Sequence, residues 1–520
     1  MTQILDKKSI LRKTAQVGAT TLLSRFLGIA REILRARFLG VGAVSDAFIM
    51  AYKIPHFLRR IFAEGALSAS FIPVFIKKTK NKELKNANGL MSISFLFFEG
   101  IVFLLCLLVA IWPKFVIKAI APGFSVEQIG YAIPFLRILF PMIFFISSSA
   151  LFAGALNSVN HFFIPAFGPV LMNIVFVATL ILCLTFKLSP IYLCMGILFS
   201  GLLVFLMHFA VYIKYNFGFA KIDKSSRDAF SLILKKFLPT LAGVSIIEIN
   251  LFFDCIIASF LPKGSVSLLE YSGRFMNVPI GVFAVGFATI LLPQFSRFVL
   301  YAPKRLNFYL LEVIKFVTFL IIPAMLFMMF IADPIFSILM LKGRTSLHSI
   351  WIAKWLLIIY LSGLCFYCLN KVLVNVFYSF HDTKTPTIAL VISSLVNLGC
   401  NVIGLKLWGV FGIAGSTAIS AVVLTFLCFL FLKLKYKFKF YAGNYFLFLI
   451  RYVVQLFFAC AIFVTSYLMI FKYLKNTTMF LFFYQSWGYW LIVFPLIFIS
   501  AFFIFLTRNL FGIKLYFLSK

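Results

Sequence analysis

The sequence predicts an all-α integral membrane protein: about fourteen transmembrane helices, set as two six-helix lobes around a central cationic cavity, plus two C-terminal helices. Three observations predict this. The 520 residues are 63% hydrophobic, with a mean hydropathy of +1.06, whereas soluble domains run at about 45–50% apolar. Lys and Arg crowd every second connection between the apolar runs. The two halves of the chain also echo each other at a fixed offset.

A spanning helix needs about 20 mostly apolar residues. Runs that meet this lie at 15–38, 44–76, 90–112, 129–156, 163–186, 190–213, 237–261, 268–296, 311–340, 350–379, 386–405, 409–432, 444–471 and 483–507. The second is too long for one straight helix, and Pro55 is the expected break or kink. The nine cysteines fall in apolar runs, so they read as lipid- or core-facing residues, not as a zinc site. The first apolar stretch carries Arg25 and Arg31, so no cleavable signal peptide is expected.

The net charge of +33 also fits a nucleic-acid binder. Here the cations sit between spans, so no nucleic-acid partner is expected. Lys77, Lys78, Lys80, Lys82 and Lys85 follow the second span; Lys214, Lys221, Lys224, Arg227, Lys235 and Lys236 follow the sixth. Arg297, Lys304 and Arg305 follow the eighth, and Lys433, Lys435, Lys437 and Lys439 the twelfth. The alternate connections hold few cations, such as Lys187, Lys263 and Lys406. This pattern places both termini in the cytoplasm. Residues 224–236 read equally as a basic segment on the inner membrane surface or as an ordinary basic loop.

Asp46 precedes Pro55, and Glu270 precedes Pro279, by the same nine residues (55 − 46 = 279 − 270 = 9). Asn173 and Asn397 share the 224-residue offset of the two acids (270 − 46 = 397 − 173 = 224). The repeat divides the chain into an N-lobe at 1–222, a C-lobe at 223–440 and a C-terminal helix pair at 441–520.

Ionisable groups in spans cost roughly 2.5–3.5 kcal/mol each and usually face a cavity or a partner. The first two spans are crowded with them: Arg25, Arg31, Glu32, Arg35, Arg37, Asp46, Lys53, Arg59, Arg60 and Glu64. Arg35, Arg37 and Arg60 are placed to snorkel. Arg25 and Arg31 sit well inside span 1, and Arg274 sits in span 8 one turn after Glu270. The cations outnumber the acids, so they need water or an anion, and the planar guanidinium fork suits phosphate. The alternative is Arg bridging helix carbonyls and Asp46 or Glu64. Asp254, Asn397, Asn401 and Thr417 are oxygen donors at bilayer depth. They read either as a Na⁺ or proton site or as interhelical hydrogen-bonding groups. Glu99, Arg137, Glu248, Lys354 and Lys371 are intramembrane charges without an assigned role, and the five scattered histidines form no metal pattern.

The runs Ser24-Arg25-Phe26-Leu27-Gly28-Ile29-Ala30-Arg31, Ser45-Asp46-Ala47-Phe48 and Arg59-Arg60-Ile61-Phe62-Ala63-Glu64-Gly65-Ala66 closely resemble the N-terminal signature of the MurJ/MviN lipid II flippases. The stretch from Gly281-Val282-Phe283 to Leu292-Pro293 and the run Asp382-Thr383-Lys384-Thr385-Pro386 resemble the same family. The resemblance covers most of the chain. It implies a member of the multidrug/oligosaccharidyl-lipid/polysaccharide exporter superfamily in the bacterial inner membrane. The implied activity is moving lipid II, an undecaprenyl-diphosphate-linked disaccharide-peptide, to the outer leaflet by alternating access. That step serves peptidoglycan synthesis and cell shape, with helices 13 and 14 forming a groove for the lipid tail. The positions matching functional residues are Ser24, Arg25, Arg31, Lys53, Arg59 and Arg274 for substrate, and Asp46, Glu64 and Glu32 for ion pairs. Asp254, Asn397, Asn401 and Thr417 match the Na⁺ site described in some members. A monomer is expected, with lipid II and membrane lipids as its partners and either Na⁺ or the membrane potential as its drive.

The chain departs from the family pattern at Glu32, usually Asp, at Gly273, often an acid, and at Asn401, an acid in the Na⁺ pattern. The last change removes a charge from the cation site. An exporter of another lipid-linked oligosaccharide or of a small solute is the alternative function. A membrane glycosyltransferase would need paired carboxylates on an external loop. The outer connections hold almost no acid beyond Glu127, so no enzyme is expected.

Overall fold

In a computed structural model the described residues are 7–60, 66–80, 84–281, 285–340, 345–475 and 488–518, and all of their regular structure is helical. The chain divides into two compact units, residues 1–267 and 268–520.

The first unit contains α1 (Lys7–Leu39), α2 (Ala43–Arg59), α3 (Ala66–Lys80), α4 (Leu84–Ile111), α5 (Pro113–Ile120), α6 (Val126–Leu139), α7 (Met142–Ser158), α8 (Phe163–Thr185), α9 (Pro190–Lys214) and α10 (Lys224–Ala258). Residues 224–236, read from sequence as surface segment or loop, are the first turns of α10. At about 1.5 Å per residue this 35-residue helix outruns a hydrocarbon core of about 30 Å. Its basic first turns thus have length to spare beyond the lipid tails. α10 packs on α3 and α4, which is why it belongs with the first unit. α8 lies between α1 and α9, and α2 packs on α6.

The second unit begins within α11 (Ser265–Pro279) and continues through α12 (Val285–Tyr301), α13 (Pro303–Phe330), α14 (Ala332–Met340), α15 (Leu347–Ser362), α16 (Leu364–Ser379), α17 (Lys384–Trp408), α18 (Val410–Tyr436), α19 (Ala442–Leu474) and α20 (Gly488–Thr507). α17 and α18 form a tight hairpin at Gly409, whose φ of 56° suits a residue without Cβ. The terminal helices α19 and α20 pack together and onto α13 through Phe319, Tyr452, Leu456 and Ile504. Tyr452 donates to the Phe319 carbonyl at 2.5 Å, and Gln455 to the Ile504 carbonyl at 2.7 Å.

Several spans are broken helices. The break expected at Pro55 is not there: α2 runs through Pro55 to Arg59, and the next described helix starts at Ala66. The fourth span divides at Pro141, which has no N–H to give to the preceding turn, and the tenth divides at Gly363. Ten helical segments among the described residues are long and apolar enough to cross a membrane. They correspond to spans 3–6 and 9–14. Spans 1, 2, 7 and 8 are the remaining four, and they carry the candidate cations and acids at 25, 31, 46, 53, 59, 254, 270 and 274. The all-α membrane fold is the one expected from the sequence; the boundary between the two units falls at 267, not at the expected lobe boundary of 222, because α10 packs on α3 and α4.

Candidate functional site

The densest polar constellation lies where α1 meets α8. A guanidinium held mostly out of water between two helices needs protein acceptors for its N–H groups. Arg31 donates through Nη1 to Asn173 Oδ1 at 2.8 Å, and through Nη2 and Nε to Glu32 Oε1 at 2.7 and 3.2 Å. Its guanidinium carbon lies 5.2 Å from the Phe176 ring centre. The Asn173 amide then donates to both the carbonyl and the hydroxyl of Ser24, each at 3.1 Å. The second oxygen of Glu32 meets Arg35 Nη2 at 2.6 Å. One carboxylate therefore serves two guanidinium groups.

Arg35 was expected to snorkel. It is 1% exposed, because Glu32 one turn earlier holds it inside the fold. Arg25 stands on the exposed face of α1. The sequence marked Asn173 only as a repeat position. Its role as the bridge between Ser24 and Arg31 depends on the packing of helices about 140 residues apart in the chain.

Asp46 was expected in an ion pair, and the structure corrects this. Its carboxylate is fully buried and accepts from Gly264 N at 2.6 Å, Ser267 N at 2.8 Å and Gln128 Nε2 at 3.1 Å. The partners are neutral donors, two of them from the open first turn of a helix, whose aligned peptide dipoles favour a negative charge. Gln128 is itself fixed by a capping box with Ser125 at the start of α6.

Lys53 donates to the buried Cys255 thiol at 3.2 Å, so this cysteine serves as an acceptor as well as an apolar filler. Arg59, in the last turn of α2, approaches His56 Nε2 at 3.3 Å. Arg274, in the second unit, donates to Glu270 Oε1 at 2.7 Å and remains 38% exposed. Glu64 lies outside the described residues.

The candidate Na⁺ ligands are not brought together within either unit. Asp254 is on α10 in the first; Asn397, Asn401 and Thr417 are on α17 and α18 in the second. Asn401 Nδ2 donates to Asn397 Oδ1 at 3.0 Å, and the Thr417 hydroxyl donates to the Ile413 carbonyl. An amide donor thus occupies the Asn397 oxygen that a cation would need, and position 401 supplies no charge. Within the second unit this arrangement serves hydrogen bonding between α17 positions. Among the described residues no group of three or more His, Cys, Asp or Glu could hold a metal.

A family model described as lipid II flippase MurJ matches residues 35–485. The chain belongs to the MurJ family. The probable lipid II flippase MurJ of Vibrio cholerae serotype O1 is 33% identical over 437 residues, covering 81% of this chain and 82% of that protein. The lipid II flippase MurJ of Burkholderia cenocepacia is 31% identical, covering 82% and 84%. A solved structure of a lipid II flippase MurJ in an inward closed conformation superposes with a TM-score of 0.77 at 28% identity, over 95% of this chain and 99% of that one. An inward-facing multidrug MATE transporter shares the fold, with a TM-score of 0.67 at 16% identity. Membership makes this a multi-pass membrane transporter.

Proposed function

We propose that this protein flips lipid II, the undecaprenyl-diphosphate-linked peptidoglycan precursor, from the inner to the outer leaflet of the bacterial inner membrane. Alternating access is the mechanism, and no covalent chemistry is involved. The observation that carries the reading is the MurJ-family fold itself, with Arg31 and Arg35 brought to one carboxylate in its first unit. A buried net cation is costly unless an anion meets it. A diphosphate supplies that anion, and guanidinium forks bind it bidentately. Arg25, Arg31, Arg59 and Arg274 are the docking cations, with Ser24 and Lys53 as further contacts. The alternation of basic connections supports cytoplasmic termini. Binding drives the conformational change only through different affinity for the two states.

The test is transport of fluorescent lipid II in reconstituted vesicles by Arg25→Ala and Arg31→Ala, with folding checked by the thermal midpoint. Loss of at least ten-fold in flux with an intact fold is the expected result. Parental flux in both variants would remove the docking role. A general exporter of lipid-linked oligosaccharides would move undecaprenyl-diphosphate lipids irrespective of the peptide, and the same vesicles separate the two readings.

A further inference from the structure

Between α4 and α6 the chain makes the short helix α5, and beside it lies a cavity of about 450 Å³ in the first unit. Three cations line it: Lys114 and Lys118, one turn apart on α5, and Arg137 from the last turn of α6. None of the three makes a hydrogen bond or an ion pair with the described protein. Glu127, the acid in the first turn of α6, is bonded to Lys263. Like charges one turn apart repel, by roughly 0.2–0.5 kcal/mol on an exposed helix. The fold thus collects positive charge here and supplies no counter-charge.

The rim is the second observation. Ile111, Trp112 and Phe115 line the same cavity and are 60%, 59% and 72% exposed. Large apolar and Trp side chains left uncovered beside a group of cations match the boundary between acyl chains and headgroups. The segment follows the third span and so lies on the face opposite the N-terminus.

We propose that Lys114, Lys118 and Arg137 form a binding site for the phosphate of an anionic phospholipid, whose acyl chains run along Ile111 and Phe115 with Trp112 at the interface. A free phosphate has the same headgroup chemistry but makes no use of the apolar rim. The site is separate from the cations assigned to lipid II and does not depend on that assignment.

The experiment places a photocrosslinking benzoylphenylalanine at Phe115 of the full-length protein in phosphatidylcholine bilayers. Labelled phosphatidylglycerol or labelled phosphatidylcholine is added in trace amounts. Phosphatidylglycerol should be captured at least about fivefold more, and each cation removed should lower that preference. The K114Q/K118Q/R137Q triple variant should label both lipids equally, while R137K keeps the preference. Equal labelling in the parent protein overturns the site, as does a preference that survives the triple variant. Suppression by sodium diphosphate in the buffer assigns the cavity to soluble phosphate and overturns the lipid assignment. If the triple variant does not fold, R137Q alone decides, since its side chain is exposed and partnerless.

Discussion

Arg31 and Asp46 show how far a single residue can be read before its neighbours are known. Arg31 depends on Asn173, so substitutions at 173 should affect both folding and transport. Asn173→Asp puts a carboxylate beside the guanidinium but loses the amide donor to Ser24; flux in lipid II vesicles should fall several-fold because the cation is already neutralised, and the thermal midpoint should fall as well. Asn173→Ala should lower stability by about 1.5–3 kcal/mol, the usual worth of a hydrogen bond to a charged group, seen as a lower thermal midpoint. For Asp46 the carboxylate accepts through both oxygens, and Asn has only one acceptor and turns an N–H toward a donor. Asp46→Asn should cost about 2–4 kcal/mol, from a lost charged bond plus a donor facing a donor; an unchanged midpoint would contradict the role assigned here. The sequence marked Asp46 as important but misread its partners. Two of them are backbone N–H groups 218 and 221 residues away, which no inventory of side chains reveals. The third was legible, since Ser125-x-x-Gln128 is a capping-box pattern in the sequence itself.

Elements were legible in number and order because a bilayer demands long apolar runs, and span length follows directly from its thickness. Their breaks were less so. A proline removes one hydrogen bond, but whether the helix ends there depends on packing, and α2 passes through Pro55 while the fourth span divides at Pro141. Close approach is likewise set by tertiary structure: a Cβ on Gly404 would stand 3.0 Å from the Gly412 backbone across the α17–α18 hairpin. Gly412→Ala should therefore destabilise by about 1–3 kcal/mol through overpacking. Gly100→Ala, with open space around it, should leave the midpoint unchanged. The other end of this hairpin is tied by Asp382, which accepts from Lys435 Nζ and Tyr436 OH at 2.7 Å and from Thr385 N and Oγ1 at 3.0 and 2.6 Å. Partial burial alone would raise the Asp382 carboxyl, but the bonds from Lys435, Thr385 and Tyr436 outweigh it and hold the group well below the usual carboxylate range. A depressed folded-state value stabilises above the unfolded value of about 3.9 and is lost as pH falls through the folded one. Asp382→Asn should thus lower the midpoint at pH 7, and the gap to the parent protein should narrow only once the pH drops below about 4.

At the scale of the whole molecule, the question is what drives an anionic headgroup outward. The candidate docking arginines at 25, 31, 59 and 274 lie in spans 1, 2 and 8. Other spans carry charges too, Glu99, Arg137, Lys354 and Lys371 among them, so the transmembrane field acts on the substrate and on all of these groups. An inside-negative potential favours outward movement of negative charge by about 2.3 kcal/mol per charge per 100 mV. Asn401 Nδ2 donates to Asn397 Oδ1, and Asn401 supplies no charge, so we expect the potential and not a sodium gradient to be the drive. In vesicles with oriented protein, imposing an inside-negative potential with a potassium–valinomycin gradient should raise outward lipid II flux several-fold. Replacing Na⁺ by choline at constant potential should leave that flux unchanged. A flux that follows Na⁺ and ignores the potential would mean that Asn397, Asn401 and Thr417 rearrange to meet the ion, and that the hydrogen bond between the two asparagines is broken during transport.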